Sequence, residues 1–254
     1  MPRPAFLRRY APTASVVPID PTTLSWELLL DSRNITPITD GNALSTWPDN
    51  SGNSRNAGSV PGFDPHYRTA AGAGKSPNSQ PMVDFGAVAN SQMTGSLPGG
   101  GVGNGSGFSF YAYYILDTAA KTGNGDSQIL LGDDQANGFR LFGLLFQSSG
   151  DGRPALTTST TVLGSVQATT GSSHILSCIC NPPAGSGDSN LYYDGTLIGT
   201  GTWNANPATT YLLSGNAAQN VWIRGRLAFA GFGKRADSDL TRQGVELYLR
   251  NTFG

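Results

Sequence analysis

The chain has 254 residues, 34 of them glycine and 16 proline, and a formal net charge of −1. Charged residues make up only 13%, against about 25% in an average soluble domain. That balance excludes a broad basic field for nucleic acid and an acidic interaction tail. Abundant Gly, Ser, Thr and Asn with large apolar residues throughout fit many short strands joined by polar turns, and exclude a helical bundle or a disordered chain.

Residues 1–23 carry five prolines, with Arg3, Arg8 and Arg9 and no acid before Asp20. No helical period fits them. The composition predicts an extended, polyproline-like arm, with Arg3, Phe6, Arg8, Arg9 and Tyr10 as the residues that dock it on a neighbouring subunit. No apolar core marks a secretory signal there, and no run approaches the roughly 18 apolar residues of a membrane span. The expectation is a soluble protein without Sec-type export or membrane insertion.

From Leu24 the pattern is β. LSWELLLD (24–31) is a strongly apolar strand candidate, followed by the oxygen-rich turn TWPDNSGN (46–53). TAAGAGKSPN (69–78) ends like a phosphate-binding loop. Thr69 stands where the first glycine belongs, and Pro77 and Pro81 follow without a helical period, so it predicts a plain connection between two strands. GFSFYAYYIL (107–116) is aromatic on both faces, as in a central strand buried on both sides or at an interface. SQILLG (127–132), GFRLFGLLFQ (138–147), TTVLGSVQ (160–167) and SHILSCIC (173–180) read as further strands. Cys178 and Cys180 share a strand face about 6.5–7 Å apart, which predicts two buried, reduced thiols rather than a bridge. LYYDGTLIGTG (191–201) carries Asp194-Gly195 between apolar runs, a strong signal for a two-residue hairpin. TYLLSG (210–215) and VWIRGRLAFAGFG (221–233) complete the strands, with Ile223, Leu227 and Phe229 predicted on one face of the last. SDLTRQGVELYLRN (238–251) predicts a helix capped by Ser238 or Asp237, with Leu240, Leu247 and Tyr248 on one face and Val245 and Leu249 beside it.

Candidate chemistry is sparse. The only glutamates, Glu27 and Glu246, lie in a strand and a helix far apart in sequence, so a paired-carboxylate hydrolase is not expected. Asp133-Asp134 point to opposite strand faces. The only histidines, His66 and His174, have no nucleophile motif near them and read as loop or strand-edge residues. No catalytic residue and no enzyme activity is therefore expected. Asp49, Asn50, Ser51 and Asn53 bunch oxygen ligands as a calcium site would. An Asx-type turn whose side chains bond their own backbone is the favoured reading. Asp126 with Asp133 and Asp134 is a weaker metal candidate. For carbohydrate, Trp203, Asn204 and Asn206 in the TGTWNANP loop and Tyr193 are candidates, with Tyr113 and Trp222 as further aromatics. Core or subunit packing is the competing use of those rings.

The succession LLLD (28–31), TDGNALSTWPDNSGNSRNAG (39–58), PHY (65–67), QPMVDFGA (80–87), GFSFYAYYIL, LYYDGTLIG and RLAFAGFGKRADSDLTRQGVELYL resembles the concanavalin A-like, laminin G-like jelly-roll family over residues 24–254. The chain departs from it at Asp84-Phe85-Gly86, where the family has Phe-Asp-Gly. The resemblance implies an all-β, antiparallel jelly-roll sandwich with an extended arm and one C-terminal helix. It does not choose a function. The arm and the missing catalytic set favour a structural and adhesive protein of a large assembly. The expected setting is the surface of a phage virion, assembled in the host cytoplasm, with homo-oligomeric packing. The alternative is a lectin-like module that binds a cell-surface glycan, with or without calcium.

Overall fold

A computed structural model describes residues 15–89, 91–97, 107–117, 128–132, 143–147, 152–157, 161–182, 188–203, 210–216 and 221–254. In chain order the first strands are β1 (Leu28–Asp31), β2 (Thr46–Trp47), β3 (Ala57–Ser59), β4 (His66–Arg68), β5 (Met82–Asp84) and β6 (Met93–Ser96). The middle of the chain forms β7 (Phe108–Leu116), β8 (Gln128–Gly132), β9 (Gly143–Gln147), β10 (Arg153–Thr157), β11 (Thr161–Leu163) and β12 (Ser173–Cys180). The rest are β13 (Asp188–Tyr193), β14 (Thr196–Thr202), β15 (Thr210–Asn216), β16 (Val221–Trp222) and β17 (Gly225–Gly233), followed by helix α1 (Asp239–Phe253).

Two antiparallel sheets result. One runs β14-β13-β12-β7-β17-β5-β4, with β1 also paired to β17; the other runs β11-β10-β9-β8-β15-β6-β3-β2, with β16 on β15. Long crossovers such as β7 to β17 make this the two-sheet sandwich that the resemblance implies. No helix among the described residues is long and apolar enough to cross a membrane.

Strand β7 shows how the sequence sets the layers. Its residues alternate in direction, and all of them are buried. Phe108, Phe110, Ala112, Tyr114 and Leu116 join the core between the sheets. Tyr111, Tyr113 and Ile115 enter a second apolar layer under α1. A strand with aromatics on both faces thus occupies a position covered on both sides. β12 repeats the pattern, with Leu176, Cys178 and Cys180 inward and Ile175 and Ile179 toward the helix. The two thiols are free and buried, with sulfurs 3.8 Å apart, and burial raises the Cys180 thiol well above its ordinary pKa.

Two expectations change. Ile223 and Leu227 face the inter-sheet core, but Phe229 faces the helix. A register shift between Leu227 and Phe229 against β7 breaks the alternation, as a bulge does. In α1, capped by the Ser238 hydroxyl accepting from the Thr241 N–H, the buried positions are Arg242, Gly244, Val245, Glu246, Leu249 and Phe253. Leu240 is 56% exposed. The helix turned its Arg242–Glu246 pair inward because the partners neutralise one another against β12 and β13. The Glu246 carboxylate accepts from Arg242 at 2.7 and 2.8 Å and from the Ser177 hydroxyl at 2.5 Å, and the guanidinium lies 3.8 Å from the Tyr192 ring centroid. The segment Ser15–Asp20 runs along the same helix, with the Ile19 N–H donating to the Gly244 carbonyl at 2.9 Å. Strand β10 carries Pro154 opposite Phe146; proline argues against a strand in sequence, so this one is not legible there. The TAAGAGKSPN stretch joins the antiparallel pair β4 and β5, a strand connection and not a strand-to-helix phosphate loop.

Candidate ligand-binding site

The β13–β14 hairpin turns at Asp194 and Gly195, with φ of 51° and 84°, the left-handed pair that a type I′ turn requires. This geometry sends the Asp194 side chain back toward β12. One carboxylate oxygen accepts from the Ile175 N–H at 2.9 Å. The other meets the His174 Nδ1 at 2.6 Å. The backbone N–H of Asp194 also donates to the Ile175 carbonyl at 2.9 Å. The turn residue is therefore clamped to the start of β12 at three points.

With Nδ1–H donating to the carboxylate, the lone pair of the His174 Nε2 is left to accept. It lies 2.5 Å from the Thr169 hydroxyl and 3.0 Å from that of Ser172. The imidazole stacks on Tyr193 at 4.8 Å, and the Tyr193 hydroxyl accepts from the Thr169 N–H at 3.2 Å. Thr169 and Ser172 are exposed; His174 is only 9% exposed.

On the other side of Asp194 a pocket of ≈180 Å3 opens toward the end of α1, lined by Tyr113, Ser173, His174, Ile175, Asp194 and Arg250. Arg250 donates to the Asp194 carbonyl at a long 3.4 Å, and also lines a shallower neighbouring hollow of ≈340 Å3 beside Gln243 and Leu247. Tyr113 is 1% exposed, yet its hydroxyl has no hydrogen-bond partner among the described residues. Burial raises its pKa, with a smaller opposing effect from the nearby Ser173 hydroxyl. The Tyr114 hydroxyl, on the inner face of the same strand, is equally unpartnered, and burial holds that phenol well above its usual pKa. Buried polar groups are nearly always satisfied.

The residues anticipated for sugar divide. Trp203 is fully buried, its indole N–H donating to the Asn181 carbonyl at 2.6 Å and its ring edge-on to Phe108 at 4.7 Å. It is a core residue with no free face for a sugar. Asn204 and Asn206 lie outside the described residues, as do Asp126, Asp133 and Asp134 and the arm residues Arg3, Phe6, Arg8, Arg9 and Tyr10. Tyr193 belongs to the His174 cluster and Tyr113 to the pocket. Trp222 instead carries Arg224 over its ring at 4.9 Å. Around Asp49, Asn50 and Asn53, the calcium candidates, the side chains of Asp49 and Asn53 bond backbone groups, as in the Asx-type turn. Both Asp49 oxygens are taken by the N–H groups of Leu29, Ser51 and Arg55 and by the Ser51 hydroxyl, at 2.7–2.9 Å. Asn53 donates to the carbonyls of Trp26 and Glu27. Among the described residues no three His, Cys, Asp or Glu side chains converge on a metal position. Glu27 is engaged by Arg55 and Glu246 by Arg242, so the two glutamates do not meet. His66 sits in β4, opposite Asp84 of β5.

Sequence reasoning took Asp194 for a turn former and His174 for an edge residue. The signal that they meet is the hairpin itself, whose register folds Tyr193 back over Leu176. Nothing in local sequence places Arg250 or Tyr113 beside them.

The fold defines an antiparallel β-sandwich. No protein-family model matches the chain, and no curated protein does. Solved structures do. The chain is similar to a Trypanosoma rangeli sialidase, with TM-score 0.55 and 13% identity over 95% of this chain and 37% of that one. It is also similar to the ligand-binding domain of botulinum neurotoxin serotype D, solved with N-acetylneuraminic acid (TM-score 0.54, 10% identity, 89% and 51% covered). A third is the botulinum neurotoxin DC binding domain solved with rat synaptotagmin II (TM-score 0.53, 13% identity, 90% and 52% covered). The chain spans about a third to a half of the length of these proteins, and at such identities the likeness is one of fold.

Proposed function

We propose that the chain is a lectin-like glycan-binding module of the concanavalin A-like, laminin G-like group, and that the pocket between Tyr113 and Arg250 takes a sugar. The observation that carries this is the pocket itself, which brings Ser173, His174, Asp194 and Arg250 together beside Tyr113. A polyol ligand satisfies such a set, because each hydroxyl both donates and accepts. The hollow across Arg250 leaves room for a second sugar unit. The fold likeness to domains solved with sialic acid makes a sialylated glycan the first ligand to test, with Arg250 as the positive charge for its carboxylate.

A glycan array followed by calorimetry on the full chain tests it. Arg250→Ala and Tyr113→Phe should each weaken binding about 10-fold, the worth of one buried hydrogen bond. Tyr113→Phe should leave the unfolding midpoint unchanged or raised, since the hydroxyl it removes is unsatisfied. Binding of no glycan, or equal binding by wild type and both variants, overturns the assignment.

We infer further that the module works on a virion surface. The support is compositional: residues 1–23 carry five prolines with Arg3, Arg8 and Arg9 and no acid before Asp20. Mass spectrometry of purified particles tests this, and absence of the chain from them refutes it.

A further inference from the structure

Thr169, His174 and Asp194 stand in the order hydroxyl, imidazole, carboxylate, with contacts of 2.5 and 2.6 Å. A nucleophile within reach of a base, and a base oriented by a third group, is the arrangement that activates a hydroxyl for acyl transfer. We propose that this cluster hydrolyses O-acyl esters through Thr169, an activity beyond the binding role and contrary to the expectation that the chain carries no catalytic set.

Each part has a geometric basis. Asp194 is a positioning residue: its second oxygen is held by the Ile175 N–H and its backbone by the Ile175 carbonyl, so the imidazole is fixed in the tautomer with Nε2 free to accept. The ring is shielded by Tyr193, with Tyr114 beyond at 6.0 Å, while Thr169 faces solvent and is open to an ester. The Tyr193 hydroxyl lies 3.3 Å from the Thr169 hydroxyl oxygen. It accepts from the Thr169 N–H, which leaves its own proton to donate to an oxyanion formed beside Thr169.

In the first step the Thr169 oxygen bonds to the acyl carbon and its proton passes to Nε2. The carbonyl oxygen becomes an oxyanion under the Tyr193 hydroxyl. The carbon–oxygen bond to the alcohol then breaks, and Nε2 returns the proton to the leaving alkoxide. A water, giving its proton to Nε2, attacks the acyl-threonine. The Thr169 oxygen leaves, regains that proton, and the carboxylic acid departs. No oxidant, reductant or metal is needed.

The same contacts also staple the hairpin to β12, so turnover decides. The full chain is incubated with p-nitrophenyl acetate, and separately with a fluorophosphonate whose adduct is mapped by mass spectrometry. Nitrophenol release above that of the Thr169→Ala/Ser172→Ala double variant, and a single adduct on Thr169, are expected. Thr169→Ser keeps both signals and Thr169→Ala loses both. Asp194→Asn slows labelling about 100-fold or more and removes the low-field Nδ1 proton resonance, while circular dichroism shows the sandwich intact. Release equal to the double variant overturns the proposal. So does an adduct on Ser172, or labelling unchanged in Asp194→Asn.

Discussion

Replacing Glu246 by alanine should destabilise the protein more than almost any other single change on α1. Its side chain is 6% exposed and that of Arg242 4%, 2.7 Å apart. At this depth removal of Glu246 leaves the guanidinium over the Tyr192 ring, with only the long 3.5 Å contact to the exposed Asp239 carboxylate to balance it. Breaking a buried pair in this way costs about 3–5 kcal/mol. For a chain of this size that lowers the thermal midpoint by on the order of 10 °C. Replacing both partners by leucine removes the stranded charge and should recover most of the loss, because a buried pair and a packed apolar replacement are often nearly equal. The Ser177 hydroxyl then lacks its acceptor, a penalty of about 1–3 kcal/mol, which Ser177→Ala in the same background removes. Urea unfolding followed by far-UV circular dichroism measures all four proteins. The reasoning is refuted if Glu246→Ala costs under about 1 kcal/mol, or if the triple variant is no more stable than the single one.

Three further outcomes are expected. Trp203→Ala should cost about 3–5 kcal/mol in the same assay and leave glycan affinity untouched in calorimetry, because the ring is core. Asp49→Ala should cost about 2–3 kcal/mol through the lost turn hydrogen bonds, while calcium and EDTA leave the wild-type midpoint unchanged. Tyr111, Tyr114 and Tyr211 are held neutral, chiefly by burial, above the phenol's ordinary range. Ultraviolet titration should therefore show these phenols ionising only with unfolding. Their folded pKa is raised, so the native state keeps protons that the unfolded chain releases near pH 10. The associated stability is complete below about pH 10 and lost above it, and a midpoint that stays level from pH 9 to about 11 would contradict this.

Part of this was legible along the chain. The two-sided aromatic run of β7, the Asp194-Gly195 turn, the Ser238 cap and the like-facing cysteines each follow from a local rule of period, handedness or capping. What was missed depends on neighbours far away in sequence. The buried face of α1 could not be ranked, because Arg242 and Glu246 look polar until Ser177 and Tyr192 are placed beneath them. Trp203 looks like a loop aromatic until Phe108 and Asn181 close around it.

The sequence by itself determined an all-β sandwich with a terminal helix, since hydrophobic period and turn chemistry act over a few residues. Tertiary structure alone decided which polar groups meet. A hairpin register brought Asp194 to His174, a β7 face left the Tyr113 hydroxyl without a partner, and the end of α1 carried Arg250 to the same pocket. These contacts join residues up to 137 positions apart in the chain, as Tyr113 is from Arg250, and no local rule reaches that far.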